Sequence, residues 1–209
     1  MKRTRLYVLG ILLLASCHQP GTMDEYHGCG ITGDARSASV MELNTEKNRY
    51  DFPDSLQIDH RITLQAMLAP GYDRNRFKDG EAAEVTGYVY AVRVGGVESC
   101  NCQARDPEYR DTHIELVASA DRGDEDRCVI AEVTPRMRDI MAKRGIDWST
   151  DNLRNTIQGH YVTIAGWLMF DFEHDRQAHN TAPRNHKDWR ETCWEIHPIT
   201  SIKLVSQPI

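Results

Sequence analysis

The chain has 209 residues and a formal net charge of −6, with 27% of its residues charged and 40% hydrophobic. This length suits one domain with an appendage. The acidic balance argues against a nucleic-acid partner, because binding to nucleic-acid backbones depends largely on Lys and Arg side chains that neutralise phosphates.

Residues 1–16 predict a secretory signal peptide, with a basic start followed by an apolar stretch too short to span a bilayer. The segment Leu14-Ala15-Ser16-Cys17 at the end of this stretch resembles the lipobox of bacterial lipoproteins, in which the Cys is lipidated and becomes the mature N-terminus. The resemblance implies lipidation at Cys17 and a membrane partner reached through that lipid. It places the protein in the cell envelope, and His18 in place of Asp favours the outer membrane, facing the periplasm or the surface. An ordinary signal peptide with an incidental Cys is the alternative.

Residues 17–50 are polar and contain glycines at 21, 28, 30 and 33 without a sustained period. This composition predicts a flexible tether. Residues 51–209 then form the folded domain, which begins with a helical extension. In that extension, Thr63 predicts the cap of a short helix that ends at Pro70-Gly71.

Five later segments alternate apolar and polar residues with a period of two, which is typical of half-buried β-strands. They are residues 84–94, 111–119, 128–133, 160–172 and 192–205. Gly87 predicts a bend in the first strand, and Pro198 predicts a bulge or an edge in the last. Between the third and fourth strands, Thr134-Pro135 and Ser149 predict the starts of two helices.

This order predicts a mainly β fold, a five-stranded, OB-like closed barrel with a helical insert between strands 3 and 4. An open antiparallel sheet with helices on one face is the alternative. In the last strand, the alternation places Trp194 and Ile196 in the barrel core and Glu195 and His197 on the opposite side.

Two long polar loops predict a ligand site, because the first-to-second and fourth-to-fifth strand loops flank the ligand face of such barrels. Beside them, Tyr88 and Tyr90 lie on the outer side of the first strand. The candidate ligand-binding residues are Tyr88, Tyr90, Asn101, Arg184 and Trp189, for a small-molecule or oligomeric ligand. Loops this polar can also be solvated connections.

The outward phases of the second, third and fifth strands carry imidazoles and carboxylates, namely His113, Glu115, Glu132, Glu195 and His197. Strand alternation alone predicts a solvent-exposed polar face here. The same residue types also suit a divalent metal such as zinc, with candidate ligands His113, His174, Glu195 and His197. The leading hypothesis is a ligand-binding barrel. The alternative is a metal-dependent hydrolase of the phosphodiesterase or nuclease-like kind, although no familiar catalytic motif occurs.

Five cysteines remain besides Cys17, and in an exported protein they are expected to form disulfides. They are Cys29, Cys100, Cys102, Cys128 and Cys193. Because the number is odd, at least one thiol is free, buried or bound to something else. Two cysteines separated by a single residue would strain to pair with each other, so Cys100 or Cys102 is expected to bond a distant partner.

Residues 45–205 resemble a group of uncharacterised bacterial lipoproteins with an OB-like barrel and a C-terminal WEIHP strand. The shared segments are Val85-Thr86-Gly87-Tyr88-Val89, Cys100-Asn101-Cys102, Asp111-Thr112-His113-Ile114, Glu132-Val133-Thr134-Pro135-Arg136, Gly166-Trp167 with Asp171 and His174, and Trp194-Glu195-Ile196-His197-Pro198. The resemblance implies the barrel and the lipid anchor and brings no activity. The barrel is also similar in outline to staphylococcal-nuclease-type domains, but the Asp, Arg and Glu residues of that family have no matching positions here.

Overall fold

The computed structural model describes residues 23–120 and 126–206. Five of its strands form a closed barrel, namely β3 (Ala82–Val94), β4 (Thr112–Val117), β5 (Val129–Val133), β6 (Tyr161–Phe170) and β7 (Trp194–Leu204). Their order around the barrel is β3-β4-β5-β7-β6. The neighbouring strands are antiparallel except for β5 and β7, which are parallel. This closed order confirms the predicted OB-like barrel and removes the open-sheet alternative.

The first barrel strand is shared by both halves of the barrel, since β3 pairs with β6 along its first part and with β4 along its second. Gly87 lies where the pairing changes sides. A Cβ atom at this position would come within 2.6 Å of Leu64 Cδ2 and 3.2 Å of the Val117 carbonyl oxygen, so glycine lets the strand pass close to the short helix α2 (Leu64–Met67) without displacing the Leu64 side chain. The Thr63 side chain caps α2 as predicted.

The barrel interior is filled by the apolar phase of each strand. Trp194 and Ile196 are 1% and 0% exposed, which confirms their predicted place in the core. Opposite Pro198, the register between β6 and β7 shifts around Gly166, as the prediction of an irregularity requires. A Cβ atom on Gly166 would lie 2.4 Å from the Pro198 carbonyl oxygen, so the two strands approach closely there.

Two helices lie between β5 and β6 and cover one end of the core. They are α3 (Pro135–Lys143) and α4 (Thr150–Ile157). Thr134 and Ser149 accept hydrogen bonds from the backbone N–H groups of Met137 and Asn152, so both predicted N-caps are confirmed.

The prediction of a flexible tether is wrong for residues 23–50. These residues form a small sheet, β1 (Glu25–Tyr26) with β2 (Cys29–Gly30), and then helix α1 (Ala38–Lys47). The prediction rested on polar composition. This segment is held in place by contacts with residues distant in sequence rather than by an apolar face, and composition does not reveal such contacts. The leader, the lipobox and Cys17 lie outside the described residues. Within them, no helix has the length and apolar character needed to cross a membrane.

Two of those distant contacts anchor the N-terminal segment. Cys29 forms a disulfide with Cys102, so one member of the Cys100/Cys102 pair does bond a distant cysteine. The Arg136 guanidinium donates hydrogen bonds to the carbonyl oxygens of Cys29 and Gly30 and to Asn48 Oδ1. Cys100, Cys128 and Cys193 are free, buried thiols. These links bring α1 against the outside of the barrel and place Lys47 near the polar face of its strands.

Candidate functional site

The polar face of β4, β5 and β7 is enclosed by other parts of the chain. Glu132, Glu195 and His197 are only 4%, 3% and 1% exposed, so the prediction of a solvent-exposed face is wrong. Residues 95–111 and 171–193 fold over it, and α1 adds Lys47. Alternation correctly separated these side chains from the barrel interior, but a second layer of structure covers them.

Lys47 is the centre of the first group of buried charges. Its ammonium lies 2.9 Å from Glu98 Oε2 and 2.7 Å from Asp171 Oδ2, and His174 Nδ1 lies 3.3 Å from the same Asp171 oxygen. Burial opposes ionisation of Asp171, but Lys47 and His174 outweigh it and hold its pKa well below the usual range. Burial likewise opposes the charge on Lys47, and Asp171 and Glu98 together raise its pKa well above the ordinary value.

Arg190 and Glu195 form a second buried pair. Arg190 Nη2 lies 2.6 Å from Glu195 Oε1, and its Nε donates to the carbonyl oxygen of Thr192. Burial favours the neutral form of Glu195, but the charge of Arg190 and a hydrogen bond from His197 lower its pKa to about 2. Both members of this pair are therefore charged near neutral pH.

His197 connects this pair to a third group of charges. Its Nδ1 lies 3.4 Å from Glu195 Oε2 and 3.4 Å from Glu132 Oε2. The other Glu132 oxygen lies 2.8 Å from His113 Nδ1. Burial disfavours the imidazolium of His197, but the hydrogen bond with Glu195 and the charges of Glu132 and Asp111 raise its pKa to about 9.

Asp111 completes the network just before β4. Asn101 Nδ2 donates to Asp111 Oδ2 over 2.8 Å, and Cys100 Sγ lies 3.8 Å from the same oxygen. Burial and the nearby Glu132 raise the pKa of Asp111 to about 7, despite the charge of His197. Over the described part of the chain, Asp111 Oδ1 and His197 Nε2 are buried without a hydrogen-bond partner.

Part of this network lines a pocket of about 230 Å³ between the strand face and the two covering loops. The charged groups of its lining are the carboxylates Glu98, Glu132, Asp171 and Glu195 and the cations Lys47 and Arg190. His113, His174 and Trp189 complete its walls. The Trp189 indole is tilted against the His113 ring with 5.6 Å between centroids and donates from Nε1 to Gln177 Oε1. The pocket therefore joins a dense set of charges to one aromatic wall.

The predicted ligand-binding residues divide between this pocket and other places. Trp189 lines it, and Asn101 lies behind it and holds Asp111. Tyr88 packs edge-on against Tyr161, 5.3 Å between centroids. Tyr90 is 37% exposed, and Arg184 is exposed on the covering loop. The structure does not bring Tyr88, Tyr90 or Arg184 to the pocket lining.

The four predicted metal ligands lie in one network but not in one coordination group. His197 groups with Asp111 and Glu132, whereas His174 and Glu195 group with Asp171. His113 contacts Glu132. The prediction missed Lys47, Glu98 and Arg190, because charged residues in loops and in an expected tether carry no periodic signal. The positions of Asp111 and Asp171 beside strand ends were the sequence signal that could have indicated this buried charge network.

Comparisons with known proteins add little. No family model and no curated protein matches the chain. Among solved structures, it is similar to the asparaginyl-tRNA synthetase of Entamoeba histolytica, with 12% identity and a TM-score of 0.31. That match covers 64% of this chain and 22% of the synthetase, so the chain spans about a fifth of the synthetase's length. A similarity of this size carries no functional argument.

Proposed function

We propose that this protein is a lipid-anchored, ligand-binding barrel of the cell envelope that takes a small polar ligand into the pocket beside Trp189. The observation that supports it most is the enclosure of charged side chains around a pocket of about 230 Å³. The pocket lies on the strand face and between the two loops that OB-like barrels use for their ligands. Ligand sites are commonly concave, with a few convergent polar groups.

The pocket's charges favour a ligand that donates hydrogen bonds. Lys47 and Arg190 are already paired with carboxylates at 2.7 and 2.6 Å, so they have little capacity left for an anion. The lining carboxylates outnumber these two cations and can accept from ammonium or hydroxyl groups. The Trp189 indole already contacts Arg190 and His113, and its remaining surface suits the apolar side of a sugar ring. An amino sugar or a related small molecule with amino and hydroxyl groups fits these requirements.

The lipid anchor rests on residues 1–17, where a basic, apolar leader ends in Leu14-Ala15-Ser16-Cys17. We expect the chain to partition with membranes when it is produced with its leader, because lipidated Cys17 would be its mature N-terminus. Replacing Cys17 by Ala should release it into the soluble fraction and remove the mass of the lipid. A Cys17→Ala protein that stays with the membrane and keeps the mass shift would contradict the anchor.

The pocket is tested by calorimetric titration of the folded chain with a panel of monosaccharides, amino sugars and amino acids. We expect at least one amino- or hydroxyl-bearing probe to bind. Trp189→Ala should weaken that binding at least about tenfold, because it removes the aromatic wall. Arg184→Ala is the matched control, since Arg184 belongs to the same loop but not to the lining. Absence of binding across the panel, or equal binding by the Trp189→Ala protein, would refute the pocket.

A second candidate function is metal-assisted hydrolysis of a phosphodiester or an ester. It is favoured by two groups of imidazole and carboxylate side chains. One is Asp171, His174 and Glu195 in the pocket lining, and the other is Asp111, Glu132 and His197, of which Glu132 belongs to the lining. A group of this kind whose carboxylates have no Lys or Arg partner can hold a divalent ion that activates water. Turnover of bis(p-nitrophenyl) phosphate or p-nitrophenyl acetate that EDTA abolishes would support it, whereas turnover unaffected by EDTA would exclude this mechanism.

A further inference from the structure

Three buried side chains converge behind the floor of the pocket. Asp111 lies just before β4, Glu132 on β5 and His197 on β7, and the pairing of these strands brings the three together. One donor atom from each residue lies within 4.8 Å of those from the other two. Ligand atoms about 2 Å from one ion lie within about 4 Å of each other, so small side-chain movements would give a coordination group.

This group lacks the Lys or Arg side chain that accompanies the other buried carboxylates. Asp171 has Lys47, and Glu195 has Arg190. Among the described residues, no Lys or Arg nitrogen lies within 4.0 Å of an Asp111 or Glu132 carboxylate oxygen. The basic groups close to these carboxylates are the imidazoles of His113 and His197. Two carboxylates buried without a Lys or Arg partner are costly, and a divalent ion in place of the proton of His197 would lower that cost.

The hydrogen bonding of His197 leaves one of its ring nitrogens available. Nδ1 faces the carboxylates of Glu195 and Glu132, and Arg190 holds Glu195 in place. Nε2 is buried without a partner among the described residues, as is Asp111 Oδ1. Buried polar atoms without partners are rare. A metal-ligating histidine commonly donates its other ring N–H to a carboxylate, and Glu195, 3.4 Å from Nδ1 and paired with Arg190, is placed to accept it.

We infer that Asp111, Glu132 and His197 bind one divalent transition-metal ion of the manganese or zinc class. This deepens the proposed function and rests on it, because Glu132 also lines the ligand pocket. One imidazole with two carboxylates suits these ions better than Mg²⁺ or Ca²⁺, which prefer oxygen ligands alone. Three protein ligands leave coordination positions open, and the ion would be reached from the pocket through Glu132.

The two neighbouring groups suit an ion less well. In the group of Asp171, His174 and Glu195, the cations Lys47 and Arg190 already contact the carboxylates and would repel a metal. Glu98, which groups with Cys100 and Asp111, is likewise paired with Lys47 at 2.9 Å. Asp111 belongs to two of the candidate metal-binding groups. Substitutions of residues that belong to a single group therefore identify which group binds the ion.

The test is a titration of the folded chain with MnCl₂, with free Mn²⁺ measured by electron paramagnetic resonance. Manganese is the chosen probe because zinc also binds thiolates, and the chain has free cysteines. We expect one Mn²⁺ per chain. Glu132→Gln and His197→Gln should each weaken binding at least about tenfold. Circular dichroism and thermal melts without metal identify any variant that has lost its fold.

Three matched controls locate the ion. Glu115→Gln removes a buried carboxylate of β4 that pairs with Arg93 instead, while Cys100→Ser and Asp171→Asn alter the two neighbouring groups. All three should keep Mn²⁺ binding. Wild-type protein that binds no Mn²⁺, or a loss through Cys100→Ser or Asp171→Asn with Glu132→Gln unaffected, overturns the inference. If a small ligand still binds through Trp189 while Mn²⁺ does not, the proposed function stands and only the metal site fails.

Discussion

Replacing Arg190 by Met should lower the free energy of unfolding by about 3–5 kcal/mol, because it leaves the buried Glu195 carboxylate without its cation. The Arg190 side chain is 1% exposed and lies 2.6 Å from a Glu195 oxygen that is itself buried. Urea denaturation followed by far-UV circular dichroism measures the change. Since Arg190 also fixes the last turn before β7 through the Thr192 carbonyl, the same variant should lose ligand binding at the pocket.

A surface ion pair with the same contact distance tests whether burial determines the contribution of the Arg190–Glu195 pair. Arg61 also lies 2.6 Å from a carboxylate, that of Asp59, but its side chain is 89% exposed. Arg61→Met should leave the denaturation midpoint unchanged, because solvent screens such pairs. Similar losses for the two variants would mean that burial does not determine the contribution of the Arg190–Glu195 pair.

The barrel could be predicted from sequence because its signals are local. Period-two alternation fixed the phase of each strand, as Trp194 and Ile196 in the core demonstrate. The caps at Thr134 and Ser149 marked the helix starts, and both accept the expected hydrogen bonds. The strand order came from matching five strands, with a helical insert between the third and fourth, to the OB barrel.

The enclosure of the polar face could not be predicted in the same way. Alternation tells which side of a strand His197 occupies, but not whether another layer covers that side. The cover depends on Lys47, Asp171 and Arg190, which belong to segments without periodicity. The position of Lys47 in turn depends on the N-terminal segment, whose anchoring by the Cys29–Cys102 disulfide could not be derived from spacing alone.

Trp194, the first residue of β7, has the largest fully buried side chain among the described residues. Its indole Nε1 donates to the Asp73 carbonyl oxygen over 2.8 Å. The rings of Phe77 and Phe170 pack edge-on against it, with centroids 5.5 and 5.3 Å away. The indole therefore ties β7 to the end of β6 and to the segment that follows α2, directly beside Glu195.

Trp194→Ala should lower the free energy of unfolding by about 3–5 kcal/mol, because it removes apolar contacts and leaves a cavity in a closed barrel. Trp194→Phe keeps most of the ring packing but leaves the Asp73 carbonyl oxygen without its donor, so it should cost less, about 1–3 kcal/mol. Denaturation followed by circular dichroism avoids the change in tryptophan fluorescence. A loss below about 1 kcal/mol for Trp194→Ala would be incompatible with a closed core at this position. A loss as large for Trp194→Phe as for Trp194→Ala would show that the hydrogen bond to Asp73, rather than the packing of the ring, holds β7 in place.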